Sequence, residues 1–368
     1  MRINMICDLF GSSGYSAHGR QLSNALYELG YDVRVECNKP VNWQAQVNDA
    51  ELNMLLKDFD PNCVTIMIGQ PQFWRLALSQ GAKHFIGFVV WEGEKVPASW
   101  VKYILDERVT QVWMPSVHVD CAIQEMMYRE EDINHYLSKK HIVPHGVNMA
   151  VFQPPLKHKK KQPFTFVCNK GWAQGINDRG GVQWLLKAYF EEFTSKDNVR
   201  LKIKINPSYC PPGWDFKNEV KKLGINKKKD SPELMVCNNL VPFKELLQFY
   251  DGDVFVCPTM GEAFNLTGLE AKACGLMTLQ TGFGGQMDYM SEICDMVIPY
   301  ELVDVTWDMD HEGNRWGKVR LGELKKQMRW LYNHKKEVKK RNAIAREQAS
   351  HFTWLKSAKK AKKALDQL

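Results

Sequence analysis

The chain has 368 residues, of which 44% are hydrophobic, 25% charged and 11% aromatic, and it carries a formal net charge of +7. This composition excludes a disordered chain, and the length predicts two domains of about 150 to 200 residues each. No apolar run reaches the roughly 20 residues that a membrane helix needs, and the start MRINMICDLF lacks the apolar core of a signal peptide. We therefore expect a cytoplasmic protein.

The ten cysteines are scattered and form no CxxC pair, which favours free thiols in a reducing compartment. The positive charge is concentrated in lysine clusters at 157–161 and 227–229 and near the C-terminus. A solvated basic surface accounts for these clusters. Peripheral contact with an anionic membrane is the alternative.

Short β-branched runs alternate with longer helical patterns, which is typical of parallel sheets covered by helices on both faces. The pattern predicts strands over 3–7, 33–37, 64–68, 85–90, 112–114 and 142–143. After a polar, proline-containing linker at 153–163, it restarts with strands over 164–167, 201–205, 235–236, 254–256, 277–279 and 296–298. From residue 321 on, the chain is rich in Lys, Glu, Ala and Leu and predicts helices.

This order predicts an α/β protein with two Rossmann-like, doubly wound domains facing a central cleft. We expect an N-terminal domain over 1–155 and a C-terminal domain over 156–345. A C-terminal helix over 346–368 is expected to pack back on the N-terminal domain through Phe352 and Trp354. Open α/β sheets bind ligands at the carboxyl ends of their strands, so the chemistry is expected in the cleft.

The strongest signal is the segment 257–275, CPTMGEAFNLTGLEAKACG, which follows a predicted strand and runs into a helix. If the helix begins near Asn265, its first free amides, around Leu266 to Gly268, can hold a diphosphate. Glu262 then precedes the helix, where it can meet sugar hydroxyls. Glu270 lies inside the helix, where a carboxylate can accept hydrogen bonds from a ribose diol. The alternative is an exposed Glu262 and a Glu270 that pairs within its own helix.

The stretch GEAFNLTGLEAKACG resembles the Glu-x7-Glu element of the retaining glycosyltransferases of family 4, which have the two-domain GT-B fold. Three further stretches match that family in order. GSSGYS at 11–16, between the first strand and a helix predicted over 20–29, resembles its N-terminal glycine loop. VPHGVN at 143–148 resembles the segment that closes its N-terminal domain, and FTW at 352–354 resembles the start of its last helix.

The resemblance implies retaining transfer of a hexose-type sugar from a nucleotide-diphosphate sugar to a glycan, lipid-linked or small-molecule hydroxyl acceptor. It implies an N-terminal acceptor domain and a C-terminal donor domain, with no metal or other cofactor. Glu262 would be catalytic, and Lys170 and Arg179 would neutralise the diphosphate, although surface charge is the alternative for both. The other donor-binding residues implied are Gly14, Asn265, Leu266, Thr267 and Glu270.

The catalytic histidine usual in the N-terminal domain of this family has no counterpart at the end of the strand over 85–90. The chain reads WEGE there, which resembles a branch of the family with Trp-Glu at this point. Glu92 would then face the donor sugar or the acceptor hydroxyl and take up the acceptor's proton. A buried glutamate paired within the fold is the alternative. His118, on the next helix, is expected to be structural.

Other functions are weaker matches. Asp251 and Asp253 imitate a metal-binding Asp-x-Asp pair but precede a strand, and the acidic cluster near His311 lacks zinc-type spacing. A sugar-nucleotide epimerase, an enzyme acting on nucleic acid and a non-catalytic nucleotide- or sugar-binding protein remain alternatives. Nucleic acid is disfavoured because basic and aromatic residues are not interleaved. The sequence leaves the base, sugar, acceptor and oligomeric state open.

Overall fold

The computed structural model describes residues 1–37, 47–155, 163–225, 229–241, 243–306 and 312–368. The chain divides into two compact units. The first contains Met1–Gly146, a short segment ending at Asn314, and Phe352–Leu368, and the second contains the rest. The lysine clusters at 157–161 and 227–228, and Asp308, Asp310 and His311, lie outside the described residues.

The first unit contains a six-stranded parallel sheet. Its strands are β1 (Arg2–Cys7), β2 (Asp32–Cys37), β3 (Val64–Ile68), β4 (His84–Phe88), β5 (Val109–Met114) and β6 (Lys140–Ile142), in the order β2-β1-β3-β4-β5-β6. Every residue of β3 is buried, as expected for a parallel strand covered on both faces. The helices of this part are α1 (Gly14–Glu28), α2 (Asp49–Leu55), α3 (Trp74–Ser79), α4 (Ala98–Ile104), α5 (Val117–Gln124) and α6 (Glu130–Leu137).

Helix α1 begins at Gly14, six residues before the predicted start at residue 20. Ser13 caps the helix, because its side chain accepts a hydrogen bond from the Ser16 amide at 3.2 Å. The predicted start was therefore wrong. Gly14 is the first helical residue, so the loop after β1 covers 8–13, and only residues 11–13 of the stretch at 11–16 lie in it.

The second unit contains another six-stranded parallel sheet. Its strands are β7 (Phe164–Asn169), β8 (Val199–Lys204), β9 (Glu233–Cys237), β10 (Val254–Cys257), β11 (Met277–Thr281) and β12 (Met296–Ile298), in the order β12-β11-β10-β7-β8-β9. The helices are α7 (Val182–Glu192), α8 (Phe216–Lys222), α9 (Phe243–Phe249), α10 (Leu266–Ala273), α11 (Leu321–Asn333) and α12 (Lys335–Ala349). The prediction of two Rossmann-like, doubly wound domains is confirmed.

The strand order of the second sheet reverses between β7 and β10. The chain adds β8 and β9 on one side of β7 and then returns to add β10, β11 and β12 on the other. Ligands of doubly wound sheets bind at such a reversal, beyond the carboxyl ends of the two central strands. This rule places the candidate site of the second unit after β7 and β10.

An antiparallel hairpin that the sequence pattern did not indicate joins β12 to α11. It consists of β13 (Tyr300–Asp304) and β14 (Arg315–Val319). The Gly317 amide donates to the Met260 carbonyl at 2.8 Å, and Trp316 is buried against Met260 and Phe283. The hairpin therefore braces the loops that follow β10 and β11.

The C-terminal helix α13 (Trp354–Leu365) belongs to the first unit and packs on α1. Thr353 caps it by accepting from the Lys356 amide at 3.2 Å. Gly146 lies so close to this helix start that a Cβ there would collide with the backbone of Thr353 and Trp354. The close approach of these two segments therefore requires glycine at position 146.

Candidate active site

Polar side chains follow the two central strands of the second sheet. Lys170 comes directly after β7, and Glu262 lies on the loop between β10 and α10. Arg179 lies on the loop that leads from β7 to α7. A 2.7 Å hydrogen bond from the Met260 amide to the Arg179 carbonyl ties this loop to the loop that carries Glu262. The strand-order reversal thus brings a carboxylate and two cations together.

The Glu262 carboxylate is the centre of this group. Its Oε1 lies 3.0 Å from Lys170 Nζ and 3.5 Å from an Arg179 guanidinium nitrogen, and it accepts from Thr259 Oγ1 at 2.9 Å. The side chains of Glu262 and Lys170 are only 14% and 10% exposed. Across the described ranges, the hydrogen bonds of this carboxylate all end on Oε1. Its Oε2 is therefore available to a substrate hydroxyl.

The charges of this group stabilise one another. Burial opposes ionisation of Glu262, but the attraction of Lys170 and Arg179 outweighs it and lowers the pKa of the carboxyl. Burial likewise opposes the charge of Lys170, and Glu262 helps to raise the pKa of that ammonium. At neutral pH the site therefore holds two cations and one carboxylate, a net charge of +1.

The start of α10 lies next to this group and has an unusual backbone. Asn265 precedes the helix with φ of 66°, the one positive value among non-glycine residues in the described chain. Its side chain does not cap the helix, and the amides of Leu266 and Thr267 donate to no described residue. The expectation of a free amide at Gly268 was wrong, because that amide donates to the Asn265 carbonyl at 3.2 Å. The Leu266 and Thr267 amides carry the positive end of the helix dipole, a position that suits an anion.

Two glycines allow the site loops to approach each other. Gly181, with φ of 76°, faces the Pro258 carbonyl so closely that a side chain there would collide with it. Gly284, with φ of 112°, lies against the Glu262 backbone, and the next amide, of Gly285, donates to the Glu262 carbonyl at 2.7 Å. The glycine turn at 282–285 therefore supports the Glu262 loop. Neither position accommodates a side chain without moving that loop.

Glu270 lies one turn inside α10, is half-buried and contacts the buried Tyr250. Its Oε2 accepts from the Tyr250 hydroxyl at 2.7 Å, and that hydroxyl accepts from Asn169 Nδ2 at 3.1 Å. Burial raises the pKa of Glu270 to about 7, although the bond from Tyr250 and the charge of Lys170 oppose the shift. The Glu270 carboxyl therefore titrates near neutral pH. Its hydrogen-bond partner, Tyr250, lies outside α10, so Glu270 does not pair within its own helix.

The structure brings most of the predicted site residues of the second unit together. Lys170 Nζ lies within hydrogen-bonding distance of both Glu262 and Asn265, and Thr267 Oγ1 donates to Asn265 Oδ1 at 3.0 Å. Arg179 completes the group through its 2.5 Å hydrogen bond to the Gly261 carbonyl. Gly14 and Glu92 belong to the first unit, where they lie after different strands.

Glu92 is half-buried on the loop that follows β4. The Trp91 indole donates to the Lys95 carbonyl at 2.5 Å. The side-chain amide of Asn314 accepts from the Lys95 amide at 2.9 Å and donates to the Lys95 carbonyl at 2.7 Å. The His118 ring lies 3.2 Å from the Glu92 carbonyl. The loop is thus fixed at both ends around Glu92.

Several residues of the site were not found from the sequence. Thr259 contacts Glu262, Tyr250 contacts Glu270, and Gln280 and Tyr289 contact Asn265. Two of them give a sequence signal, because Thr259 lies within the segment 257–275 and Gln280 is a polar residue inside the buried strand β11. The other partners come from separate elements, so their pairing depends on the tertiary fold.

The Asp251 and Asp253 pair lies at the other end of the sheet. Asp253 immediately precedes β10, and its Oδ2 accepts from the Thr165 amide at 2.7 Å. It therefore fixes the amino ends of β7 and β10, away from the carboxyl ends where Glu262 lies. In the part of the chain that the structure describes, no group of three or more His, Cys, Asp or Glu residues forms a metal site.

None of the helices in the described ranges combines the length and apolar composition of a membrane-spanning segment. No model of a known protein family and no curated protein matches the chain.

Solved structures resemble the chain over nearly its whole length. Sucrose-phosphate synthase from Thermosynechococcus elongatus is 14% identical with a TM-score of 0.69, and the alignment covers 100% of this chain and 98% of that one. A glycosyltransferase from Rickettsia africae is 14% identical with a TM-score of 0.67, covering 98% and 97%. HepE from Anabaena, solved with UDP-glucose, is 11% identical with a TM-score of 0.67, covering 100% of both chains.

The chain has the GT-B fold. At these low identities the likeness concerns the fold alone, and the residues of the second unit carry the argument about function.

Proposed function

We propose that the protein is a glycosyltransferase that moves a hexose-type sugar from a nucleotide-diphosphate sugar to a hydroxyl acceptor. The observation that carries this proposal is the arrangement of Lys170, Arg179 and Glu262 beside the open start of α10. A donor of this class needs cations for its diphosphate and a carboxylate for its sugar, and this site presents both.

The charge of the site suits a departing nucleoside diphosphate. That group carries two to three negative charges, and a helix start supplies only about half a positive charge. Lys170 and Arg179 supply two more. Stabilising the leaving group in this way lowers the barrier to breaking its bond to the sugar, because the negative charge on the phosphate grows as the bond breaks.

The proposed reaction breaks the bond between the anomeric carbon and a donor phosphate oxygen. It forms a bond from the same carbon to the acceptor oxygen, and the acceptor's proton passes to the Glu92 carboxylate with the help of the departing phosphate. Glu262 Oε2 accepts a hydrogen bond from a sugar hydroxyl, and Glu270 accepts from the ribose. Glu92 is proposed as the carboxylate that faces the acceptor. Retention of configuration and independence of metal are supported by the resemblance of 261–275 to family 4.

We also propose a cytoplasmic location, supported by the ten cysteines, all of which are free thiols.

Peripheral contact with an anionic membrane is proposed through α13. One face of this helix is buried in the first unit. The other face exposes four lysines with i, i+3, i+4, i+7 spacing, Lys356, Lys359, Lys360 and Lys363. Such a stripe is attracted to anionic lipid by about 1 kcal/mol per lysine. Cosedimentation with phosphatidylserine vesicles, lost when these lysines become glutamate, tests it.

A thermal-shift screen with UDP, GDP and ADP sugars, followed by turnover of each donor that binds, tests the proposed activity. We expect one nucleotide to raise the unfolding free energy by about 2.7 kcal/mol at a hundred times its Kd. Binding without transfer to sugar alcohols or oligosaccharides would indicate a non-catalytic nucleotide-binding protein. Conversion of the donor to its epimer would indicate an epimerase, and the absence of any stabilising nucleotide would contradict the proposal.

A further inference from the structure

Asn265 occupies a backbone conformation in which glycine is the residue normally found. Its φ of 66° lies in the left-handed region, which is strained for residues with a side chain and least so for asparagine and aspartate. A glycine would avoid this strain. The side chain is 97% buried, and its hydrogen bonds show what the residue contributes in return.

The two ends of the Asn265 side chain have different partners. Its Nδ2 donates to Gln280 Oε1 at 2.6 Å, which fixes the plane of the amide and aims Oδ1 away from β11. Its Oδ1 accepts from Lys170 Nζ at 2.6 Å and from Thr267 Oγ1 at 3.0 Å. The backbone carbonyl of Asn265 accepts from the Tyr289 hydroxyl at 2.9 Å. The residue is therefore held on one side and holds the Lys170 ammonium on the other.

We propose that Asn265 is a positioning residue, which holds Lys170 beside the free amides of α10 so that cation and amides meet the same diphosphate. This inference rests on the proposed function. It makes Asn265 a determinant of the site's selectivity for a nucleoside diphosphate over a nucleoside. The Lys170 ammonium lies between two acceptors, Glu262 Oε1 at 3.0 Å and Asn265 Oδ1 at 2.6 Å. A lysine held on both sides does not lose rotamer freedom when the ligand arrives.

The neutrality of the asparagine amide is part of the role. A carboxylate at position 265 would also tolerate the backbone and would also bind the ammonium, but it would cancel the charge that the diphosphate needs. The site would then change from a net charge of +1 to 0. The asparagine amide orients the cation and leaves its charge available.

Asn265→Gly and Asn265→Asp test this role, because both residues accept a positive φ. The probe is whichever of UDP, GDP and ADP binds the wild-type protein, compared with its own nucleoside. Loss of the hydrogen bond to a charged group in Asn265→Gly should weaken nucleoside diphosphate binding about tenfold and leave nucleoside binding within about twofold. Asn265→Asp should weaken diphosphate binding at least as much. Tyr189→Phe, a buried change that removes a hydrogen bond to the Glu233 carbonyl and does not touch Lys170, Asn265 or Gln280, should leave the ratio unchanged.

An equal loss of nucleoside and nucleoside diphosphate affinity in Asn265→Gly would show a structural role only and would overturn the proposal. A second measurement needs no ligand. Acylation of the folded protein, followed by mass spectrometry, should show Lys170 reacting several-fold faster in Asn265→Gly than in wild type, with the other lysines unchanged. Unchanged Lys170 reactivity would also overturn the positioning role. Failure of wild type to bind any nucleotide would instead contradict the proposed function.

Discussion

Lys170 Nζ and Glu262 Oε1 lie 3.0 Å apart at the carboxyl ends of two adjacent parallel strands, although 91 residues separate them in the chain. The pair is mostly buried, and each charge favours ionisation of the other. Its position at the strand-order reversal, beside uncapped helix amides, is what distinguishes it from a structural ion pair.

Replacing Lys170 with methionine should weaken nucleoside diphosphate binding more than tenfold, since a desolvated charge-assisted contact to phosphate is lost. Isothermal titration calorimetry measures the change. Lys187→Met is the matched control, because Lys187 lies on α7 over the Trp184 ring and not at Glu262. Equal effects of the two variants would show that Lys170 acts only through overall charge.

Glu270→Gln should change how stability depends on pH. The folded pKa of Glu270 is about 7 against an ordinary value of 4.5, so between these values the native state holds a proton that the unfolded chain releases. The unfolding free energy therefore falls by about 3 kcal/mol in total as the pH rises from about 4.5 through 7. Denaturant unfolding at pH 5 to 8 should show the wild type losing stability relative to Glu270→Gln. A constant difference would contradict the raised pKa.

The prediction of the fold succeeded where the signal was local. The runs at β3 and β10 are almost entirely apolar because both faces of each strand are buried, and their positions were found directly. The start of α1 was missed because the capping role of Ser13 was not recognised. The hairpin of β13 and β14 was missed because β13, YELVD, is mostly exposed and is interrupted by the charged residues Glu301 and Asp304.

The candidate site was predicted from the resemblance to family 4, and the structure brings Glu262, Lys170 and Arg179 together in the second unit. The left-handed backbone of Asn265 could not be predicted, because it depends on Gln280 and Tyr289 of later elements. The partner of Glu270 was likewise unpredictable, since Tyr250 lies 20 residues earlier on a separate element. Long-range pairing of this kind is decided by packing and leaves no local pattern.

Lys272→Met should destabilise the protein by about 3 to 5 kcal/mol, because it leaves the buried Asp295 carboxylate without its cation. Lys272 and Asp295 are 0% and 1% exposed and lie 2.5 Å apart. Chemical denaturation measures the loss. Adding Asp295→Asn to Lys272→Met should recover part of it, since no charge is then buried alone, and additive losses would contradict this explanation.

Gly146→Ala should loosen α13, because the new methyl group collides with the backbone at the start of that helix. Hydrogen exchange of the α13 amides should become faster, while the sheet of the first unit keeps its protection. Gly322→Ala is the control, since that position in α11 faces open space and alanine favours a helix. Unchanged exchange in α13 would show that the contact is not required for its docking.

The most direct test of the account is transfer of a labelled sugar by wild type and by Glu262→Ala, with folding checked by thermal unfolding. We predict that wild type transfers label from the nucleotide sugar that binds it, and that Glu262→Ala remains folded and binds the free nucleoside diphosphate. Transfer by the variant should fall by at least about a thousandfold, the loss expected when a group acting in the transition state is removed. Near-normal transfer by Glu262→Ala would contradict the assignment of the active site.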